Sequence, residues 1–235
     1  MKHRPIIFWF LCFFSFVIVC RILIFKSALG AEQTKTIALT FDDGPRPLVL
    51  QKLLPVLEKY NTPGTFFVIG RVAAQNEKWL KKIHDSGHEI ENHGWGHENF
   101  KKLFREKGAE AVKSNLNKAD DAIFKAAGRH SRFFRPPFWE INDKIEKIIA
   151  AEGYKIMKLA DPDINTMDYS DYSKKYPPEA LVKRVKSQIA SREKQGLYNH
   201  VLVFHELPIT VEALKALIPY FQNQGYKFVR LDEKY

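Results

Sequence analysis

Cysteine is nearly absent from this sequence of 235 residues, and its scarcity limits the kinds of covalent cross-link and metal site that the protein can form. Cys12 and Cys20 both lie in an apolar segment at the start, so the remainder offers neither a disulfide nor a thiolate metal site. A GxSxG nucleophile elbow is also missing, and we find no sign of a covalent nucleophile. Internal repeats and low-complexity segments do not occur. These absences favour one domain whose chemistry does not depend on thiols.

Acidic residues are missing from the first 30 positions, where a basic start precedes a long apolar run. Residues 1–31 resemble a signal peptide, with a small-residue cleavage site at 28–30. They also resemble an N-terminal membrane anchor, because residues 6–25 have the length of a spanning helix if the charged end of Arg21 reaches the membrane interface. Both interpretations stay open. Both predict that residues 32–235 are exported, either facing outward or into the periplasm from the cell membrane, or secreted.

Basic residues outnumber acidic ones, giving a formal net charge of +10. Four of these charges belong to the first 30 residues, which leaves +6 on the exported part. There the basic residues alternate with acids, as on any solvated surface, although attraction to anionic lipid, phosphate or an acidic glycan is the alternative. No aromatic–basic recognition motif is present, so we expect no nucleic-acid partner.

After residue 35, short apolar runs typical of strands alternate with segments of helical periodicity. The predicted strands are 36–41, 65–69, 88–91, 132–135, 154–160, 200–205 and 227–231. The predicted helices are 48–60, 75–85, 98–127, 142–152, 178–195 and 210–224. This alternation predicts an α/β fold with a parallel sheet in a single catalytic domain. Polar residues follow several strand ends, and a closed barrel brings such ends together better than an open sheet does.

Two adjacent carboxylates, Asp42 and Asp43, end the first predicted strand. Like charges side by side raise each other's proton affinity, so a fold tolerates them when a cation separates them or when one acts as a base. His93 and His97 lie four residues apart in a glycine-rich loop after another strand. With a carboxylate they form a plausible ligand set for zinc or a similar divalent ion. One aspartate as ligand and the other as base is the simplest division.

Two further strand ends carry titratable residues. Arg135 precedes two prolines, and it either forms a surface ion pair or keeps the free carboxylate ionised. His205 ends an apolar strand, where it either satisfies core hydrogen bonds or acts as a general acid. Trp95 and Trp139 are candidates for stacking on sugar rings, with core packing as the equal alternative.

These motifs, taken in order, resemble the NodB-homology polysaccharide deacetylases, carbohydrate esterase family 4. The resemblance covers about residues 35–235 and rests on four segments. They are the TFDDGP sequence at 40–45, the histidine pair at 93 and 97, Arg-Pro-Pro at 135–137 and Leu-Val-Phe-His at 202–205. It implies a distorted (β/α)7 barrel. It also implies a divalent metal, most often Zn²⁺ although Co²⁺ or Ni²⁺ suits the same ligands.

The resemblance also assigns roles to the residues. Asp43, His93 and His97 would hold the metal. Asp42 would be the base that takes a proton from metal-activated water, with Arg135 tuning it. His205 would protonate the leaving amine, and the metal with the backbone N–H of Phe138 would hold the oxyanion. The implied reaction removes acetyl groups from N-acetylated amino sugars.

Three departures from the family pattern stand out. Gly94 replaces the Ser or Thr whose hydroxyl braces the metal loop, which predicts a looser metal site. Phe138 and Trp139 replace Tyr-Gly in the groove wall. The fourth motif is unclear: Asp168 is nearest in wording, but Asp161 and Asp163 lie nearer a strand end. We therefore favour one of that pair to orient His205.

The substrate stays open at this point. An acetylated cell-envelope glycan such as peptidoglycan, a secreted polysaccharide, a chitin-like oligomer and a lipid-linked amino sugar all fit, and the N-terminal segment would place the enzyme at the membrane. The alternatives to an N-deacetylase are an O-acetyl carbohydrate esterase and a catalytically inactive carbohydrate-binding relative. Nothing in the sequence predicts an oligomeric state.

Overall fold

The computed structural model describes residues 34–158 and 164–234. The expected signal peptide or anchor at 1–31 therefore lies outside the described residues, as do Asp161 and Asp163. Across the part that is described, no helix combines the length and the apolar character needed to cross a bilayer.

The described chain alternates strands with helices. The strands are β1 (Lys35–Gly44), β2 (Thr65–Val68), β3 (Glu89–Asn92), β4 (Phe133–Phe134), β5 (Lys155–Ile156), β6 (Ile164–Asn165), β7 (Asn199–His205) and β8 (Tyr226–Val229). The helices are α1 (Pro47–Lys59), α2 (Gly70–Gln75), α3 (Glu77–Asp85), α4 (Phe100–Ala127), α5 (Asp143–Ala151), α6 (Asp168–Ser173), α7 (Pro178–Glu193), α8 (Pro208–Asn223) and α9 (Leu231–Lys234). A 3₁₀ turn covers Pro137–Trp139.

All strand pairs in the described residues are parallel and belong to one sheet with the order β5-β4-β3-β2-β1-β7-β6. The long strand β1 organises it, because its first half also pairs with β8 and its second half with β2. On the other edge of β1, Asp42 lies directly opposite His205 of β7. The predicted α/β fold with a parallel sheet is confirmed, and the register brings two predicted site residues together.

Both faces of the sheet are buried, which explains the continuous apolar runs in the sequence. Along β1, Leu39 and Phe41 pack with helices in the main core, whereas Ala38 belongs to a smaller cluster with Phe67 and Val201. Successive side chains of a strand point to opposite faces. Asp42 therefore shares the face of Ala38, and its carboxylate lies inside the curve of the sheet.

Four short helices and strands were not predicted from the sequence, namely α2, β6, α6 and α9. Each has six residues or fewer, too few for a periodic pattern to appear. The predicted helix 98–127 is confirmed as α4, but Gly108 interrupts it with φ 76° and ψ −171°. These differences matter because α6 and the two parts of α4 all contact the functional site.

Candidate metal and acid–base site

The carboxyl end of β1 presents both aspartates to one cavity. In a regular strand the two would point to opposite faces. Asp43 leaves the strand conformation with φ 68°, a left-handed value that is uncommon outside glycine. The chain turns there, so the carboxylate of Asp42 stays inside the curve while that of Asp43 faces the histidine loop.

Asp43, His93 and His97 form the one group found among the described residues whose ligand atoms lie close enough together to hold a metal ion. Asp43 Oδ1 lies 3.4 Å from His93 Nε2 and 3.1 Å from His97 Nε2. His93 Nδ1 lies 2.7 Å from the carbonyl oxygen of Arg135. A ring that donates from Nδ1 carries its lone pair on Nε2, the state that a metal ligand needs.

The donor set fits a divalent cation. Asp43 Oδ1 is buried and has no hydrogen-bond partner among the described residues. Burial raises the pKa of Asp43, but its close contacts with His93 and His97 outweigh it, and the net pKa lies below the usual range. One carboxylate and two imidazoles at this separation are the ligands that zinc and similar ions prefer.

Arg135 pairs with Asp42 beneath this cluster. Its Nη1 donates to Asp42 Oδ1 at 2.6 Å and to Thr40 Oγ1 at 2.8 Å. The guanidinium is 1% exposed and lies over the ring of Phe67 at 4.0 Å, with the ring of Trp139 at 5.6 Å. Aromatic faces attract such a cation, so these two rings hold the guanidinium beside Asp42. Of the two interpretations of Arg135, the structure supports the pairing with the free carboxylate over a surface ion pair.

His205 is held by a carboxylate from α6. Its Nδ1 lies 2.8 Å from Asp168 Oδ1, while Asp168 Oδ2 accepts from the His205 N–H at 2.7 Å and from Thr210 Oγ1 at 2.6 Å. With Nδ1 engaged, Nε2 is the nitrogen left to act in the cavity. Burial lowers the pKa of His205, but the hydrogen bond and charge of Asp168 raise it more, so the net pKa is above the usual value.

The carboxylate that contacts His205 belongs to Asp168, which corrects the preference for Asp161 or Asp163. Among the described residues the contact is made by Asp168, while the other two lie outside that part of the chain. Proximity to a predicted strand end was the wrong criterion, because α6 turns back toward β7 after Met167, whose φ is 59°. The wording of the family's fourth motif, an aspartate followed by tryptophan, was the better signal, because Asp168-Tyr169 is its nearest match in this sequence.

A cavity of about 420 Å³ joins these groups. It is lined by Asp42, Asp43, His93, His97, Pro136, Phe138, Trp139, Asn165, Tyr169, Val203 and His205. Asn165, Tyr169 and Val203 were not singled out from the sequence. Trp95, a predicted sugar-stacking residue, is not among the lining residues; it packs against the main core, so the core-packing interpretation holds for it.

Aromatic rings flank the cavity on both sides. Phe138 is 58% exposed and packs edge-on against His97 with ring centres 4.6 Å apart. Tyr169 packs edge-on against His205 at 5.3 Å. The left-handed residues on this rim are Asp43, His97, Phe138, Trp139 and Met167, with φ between 59° and 68°. Strained non-glycine backbone of this kind clusters at active sites.

A curled parallel sheet that brings a carboxylate–imidazole cluster and further titratable side chains together at its carboxyl edge is an arrangement found in metal-dependent hydrolases. The sequence matches the family described as polysaccharide deacetylase over residues 30–157, more than half of its length. The chain belongs to that family. The resemblance stated from the motifs is therefore confirmed.

Relatives of known structure share the fold. The peptidoglycan deacetylase PdaC from Bacillus subtilis superposes with a TM-score of 0.70 and 28% identity, covering 86% of this chain and 90% of that one. A CE4 family pseudoenzyme from Bacillus anthracis superposes with a TM-score of 0.74 and 26% identity, covering 86% and 65%. The expected (β/α)7 barrel of carbohydrate esterase family 4, in a single domain, is confirmed.

A curated relative carries an activity in its name. The peptidoglycan-N-acetylglucosamine deacetylase PgdA of Listeria monocytogenes is 29% identical over 206 residues, which cover 87% of this chain and 40% of that protein. The chain thus spans about two fifths of the length of such relatives.

Proposed function

We propose that this protein is a metal-dependent deacetylase that releases acetate from N-acetylated amino sugars of a cell-wall glycan. The observation that carries the proposal is the convergence of three units on one cavity. They are the ligand set of Asp43 with two histidines, the buried pair of Asp42 with Arg135, and the pair of His205 with Asp168. Each unit supplies one requirement of amide hydrolysis by water.

Asp43, His93 and His97 would hold the cation. The chemistry that the cation supplies when bound is polarisation of the acetyl carbonyl and activation of a water molecule. Asp42 lies next to this group and takes the proton of the attacking water. Arg135 fixes the direction of that carboxylate through its 2.6 Å hydrogen bond. The backbone N–H of Phe138, on the cavity wall, donates to the developing oxyanion.

His205 completes the reaction from the opposite wall. It gives its proton to the leaving nitrogen, and Asp168 holds the ring in the tautomer that leaves Nε2 toward the cavity. An ordinary imidazole is mostly neutral at neutral pH. The raised pKa of His205 increases the protonated fraction that such an acid requires.

The substrate class follows from the rim and the relatives. Phe138, Trp139 and Tyr169 give the cavity aromatic walls, and such faces suit the apolar face of a pyranose ring. Names of curated relatives point to peptidoglycan. Residues 32–235 would then carry the catalytic domain outside the cytoplasm, and residues 1–31 would export it or anchor it to the membrane, where lipid-linked amino sugars are a further substrate.

The test is acetate release by residues 32–235 loaded with Zn²⁺ or Co²⁺. The substrates are peptidoglycan, chitin oligomers, acetylated xylan and a lipid-phosphate-linked N-acetyl sugar. The control is Asp42→Asn, which keeps the shape of the side chain but cannot accept the proton. We expect release from peptidoglycan and a loss of roughly 10²–10⁴-fold in the control.

Other outcomes would redirect the proposal. Release from acetylated xylan alone would indicate an O-acetyl esterase. Metal and sugar binding without release from any substrate would place the protein with inactive members such as the Bacillus anthracis pseudoenzyme. Equal rates in the protein and the control would show that Asp42 is not the base.

A further inference from the structure

The metal loop from His93 to His97 lacks the hydroxyl side chain expected after its first histidine, but it is not loosely held. Three successive backbone N–H groups of this loop donate to side-chain oxygens. The bonds run from Gly94 to Asn92 Oδ1 at 2.8 Å, from Trp95 to Asn115 Oδ1 at 2.8 Å, and from Gly96 to Glu98 Oε2 at 2.9 Å. The prediction of a looser site, made from Gly94 alone, overlooked these acceptors.

The two glycines make room for two of the acceptors. A Cβ at Gly94 would lie 3.0 Å from Asn115 Oδ1, and the residue has φ +77°, which disfavours any side chain. A Cβ at Gly96 would lie 2.7 Å from Glu98 Oε1. Close approach of these oxygens to the loop therefore requires glycine at both positions.

The acceptors are also fixed to each other. Asn115 Nδ2 donates to Glu98 Oε2 at 2.8 Å, and the Asn115 side chain is buried on α4. Glu98 is half-buried and lies just before α4. Because Asn115 follows the break at Gly108, the contact joins the loop, the residues before α4 and the second part of that helix.

We propose that Asn115 and Glu98 are positioning residues for the metal ligands and replace the missing hydroxyl. By fixing the N–H groups at 95 and 96, they set the backbone between His93 and His97. This backbone determines whether the two Nε2 atoms converge on Asp43. The inference rests on the proposed metal site, and it assigns the pair to ligand geometry rather than to catalysis.

The test is metal affinity, measured on residues 32–235 by competition with a chromophoric chelator for Zn²⁺ and by the visible spectrum of bound Co²⁺. Asn115→Ala is compared with Asn117→Ala. Asn117 lies on the same helix, but it is exposed and donates a hydrogen bond to Glu152. Outer partners of metal ligands typically contribute roughly 10–100-fold in affinity. We expect a loss of that size and an altered Co²⁺ spectrum for Asn115→Ala only.

A second set of variants guards against simple misfolding. Asn115→Asp keeps an acceptor for the Trp95 N–H but sets a second carboxylate against Glu98, so we expect weaker Zn²⁺ binding. Adding Glu98→Gln to it restores a donor–acceptor pair, and we expect affinity to return toward the starting value. Recovery in this folded double variant is not expected from a role in stability alone.

The outcomes separate the inference from the proposed function. Unchanged affinity and spectrum in Asn115→Ala, or no recovery in the double variant, would overturn the inference while the metal site stands. Failure of the unaltered protein to bind Zn²⁺ or Co²⁺ would overturn both. Tighter binding in Gly94→Ser would also contradict it, because that side chain is expected to displace Asn115.

Discussion

Two buried carboxylates, each paired with an arginine, lie at opposite ends of the curled sheet. At the carboxyl end of the strands, Arg135 Nη1 lies 2.6 Å from Asp42 Oδ1. At the amino end, Arg129 Nη2 lies 2.7 Å from Glu91 Oε1. Both carboxylates are buried, although the Arg129 side chain is 29% exposed and that of Arg135 only 1%. The distance and the burial of the carboxylate therefore do not distinguish one end from the other.

The two carboxylates differ in what surrounds the oxygen that does not pair with arginine. Glu91 Oε2 accepts from the backbone N–H groups of Arg132 and Phe133, each at 2.7 Å, so protein donors fill both oxygens. Asp42 instead lines the cavity beside the metal ligands. A buried carboxylate surrounded by protein donors is a structural element, whereas one that opens to a cavity has capacity left for a substrate or a water.

The largest effect on kcat is expected from Asp168, the carboxylate that contacts the proposed acid His205. Asp168→Asn replaces the acceptor on His205 Nδ1 by an amide, which removes the charge and permits the wrong tautomer. We expect kcat for acetate release to fall roughly 10²–10⁴-fold. Because Asp168 raises the pKa of His205 more than Asp42 and Asp43 do, the basic limb of the pH–rate profile should move to lower pH.

The matched control is Asp171→Asn on the same short helix. Asp171 is equally buried but pairs with Arg184. We expect reduced stability and a kcat that remains within a few-fold. A basic limb that stays in place in Asp168→Asn would mean that His205 is not the acid.

The second prediction sets the two pairs against each other directly. Arg135→Met and Arg129→Met each remove a guanidinium from a buried carboxylate, and each should cost about 1–3 kcal/mol in urea unfolding. Only Arg135→Met should also lower kcat, on the order of 10²-fold, since it frees the proposed base. Equal losses of kcat in the two variants, measured per folded molecule, would remove the distinction between the two ends.

Much of this arrangement could be predicted from sequence, for a physical reason. Strands buried on both faces leave continuous apolar runs, and parallel strands bring their carboxyl ends to one edge. Asp42, His93, Arg135 and His205 follow such runs, so their proximity follows from topology alone.

What the sequence did not predict depends on contacts between distant or short elements. The partnership of Asp168 with His205 requires β6 and α6, which are too short for a periodic pattern. The brace from Asn115 to Trp95 joins residues 20 positions apart, and nothing in a helical asparagine indicates its acceptor role. The prediction of a loose metal loop therefore followed from Gly94 alone, because this contact could not be foreseen.

The smallest predicted effect concerns stability at the amino end. Burial and the neighbouring Glu89 carboxylate raise the pKa of Glu91 well above its ordinary 4.5. In the folded state the pair of Glu89 and Glu91 keeps a proton that the unfolded chain releases above that pH. The contribution of this pair to the free energy of unfolding must therefore fall as pH rises. Glu89→Gln removes the repelling charge, while its amide oxygen still accepts from Thr65 Oγ1.

We therefore expect the fall in unfolding free energy between about pH 5 and 8 to be shallower in Glu89→Gln, by at most about 1.4 kcal/mol per pH unit. Urea titrations across this range measure it, with the exposed Glu212→Gln as the control for a lost charge. The rate of acetate release per folded molecule should not change, because the contacts of Glu89 lie at the amino end of the strands. An unchanged slope would show that Glu89 does not raise the pKa of Glu91, and a changed rate would show that the two ends are not independent.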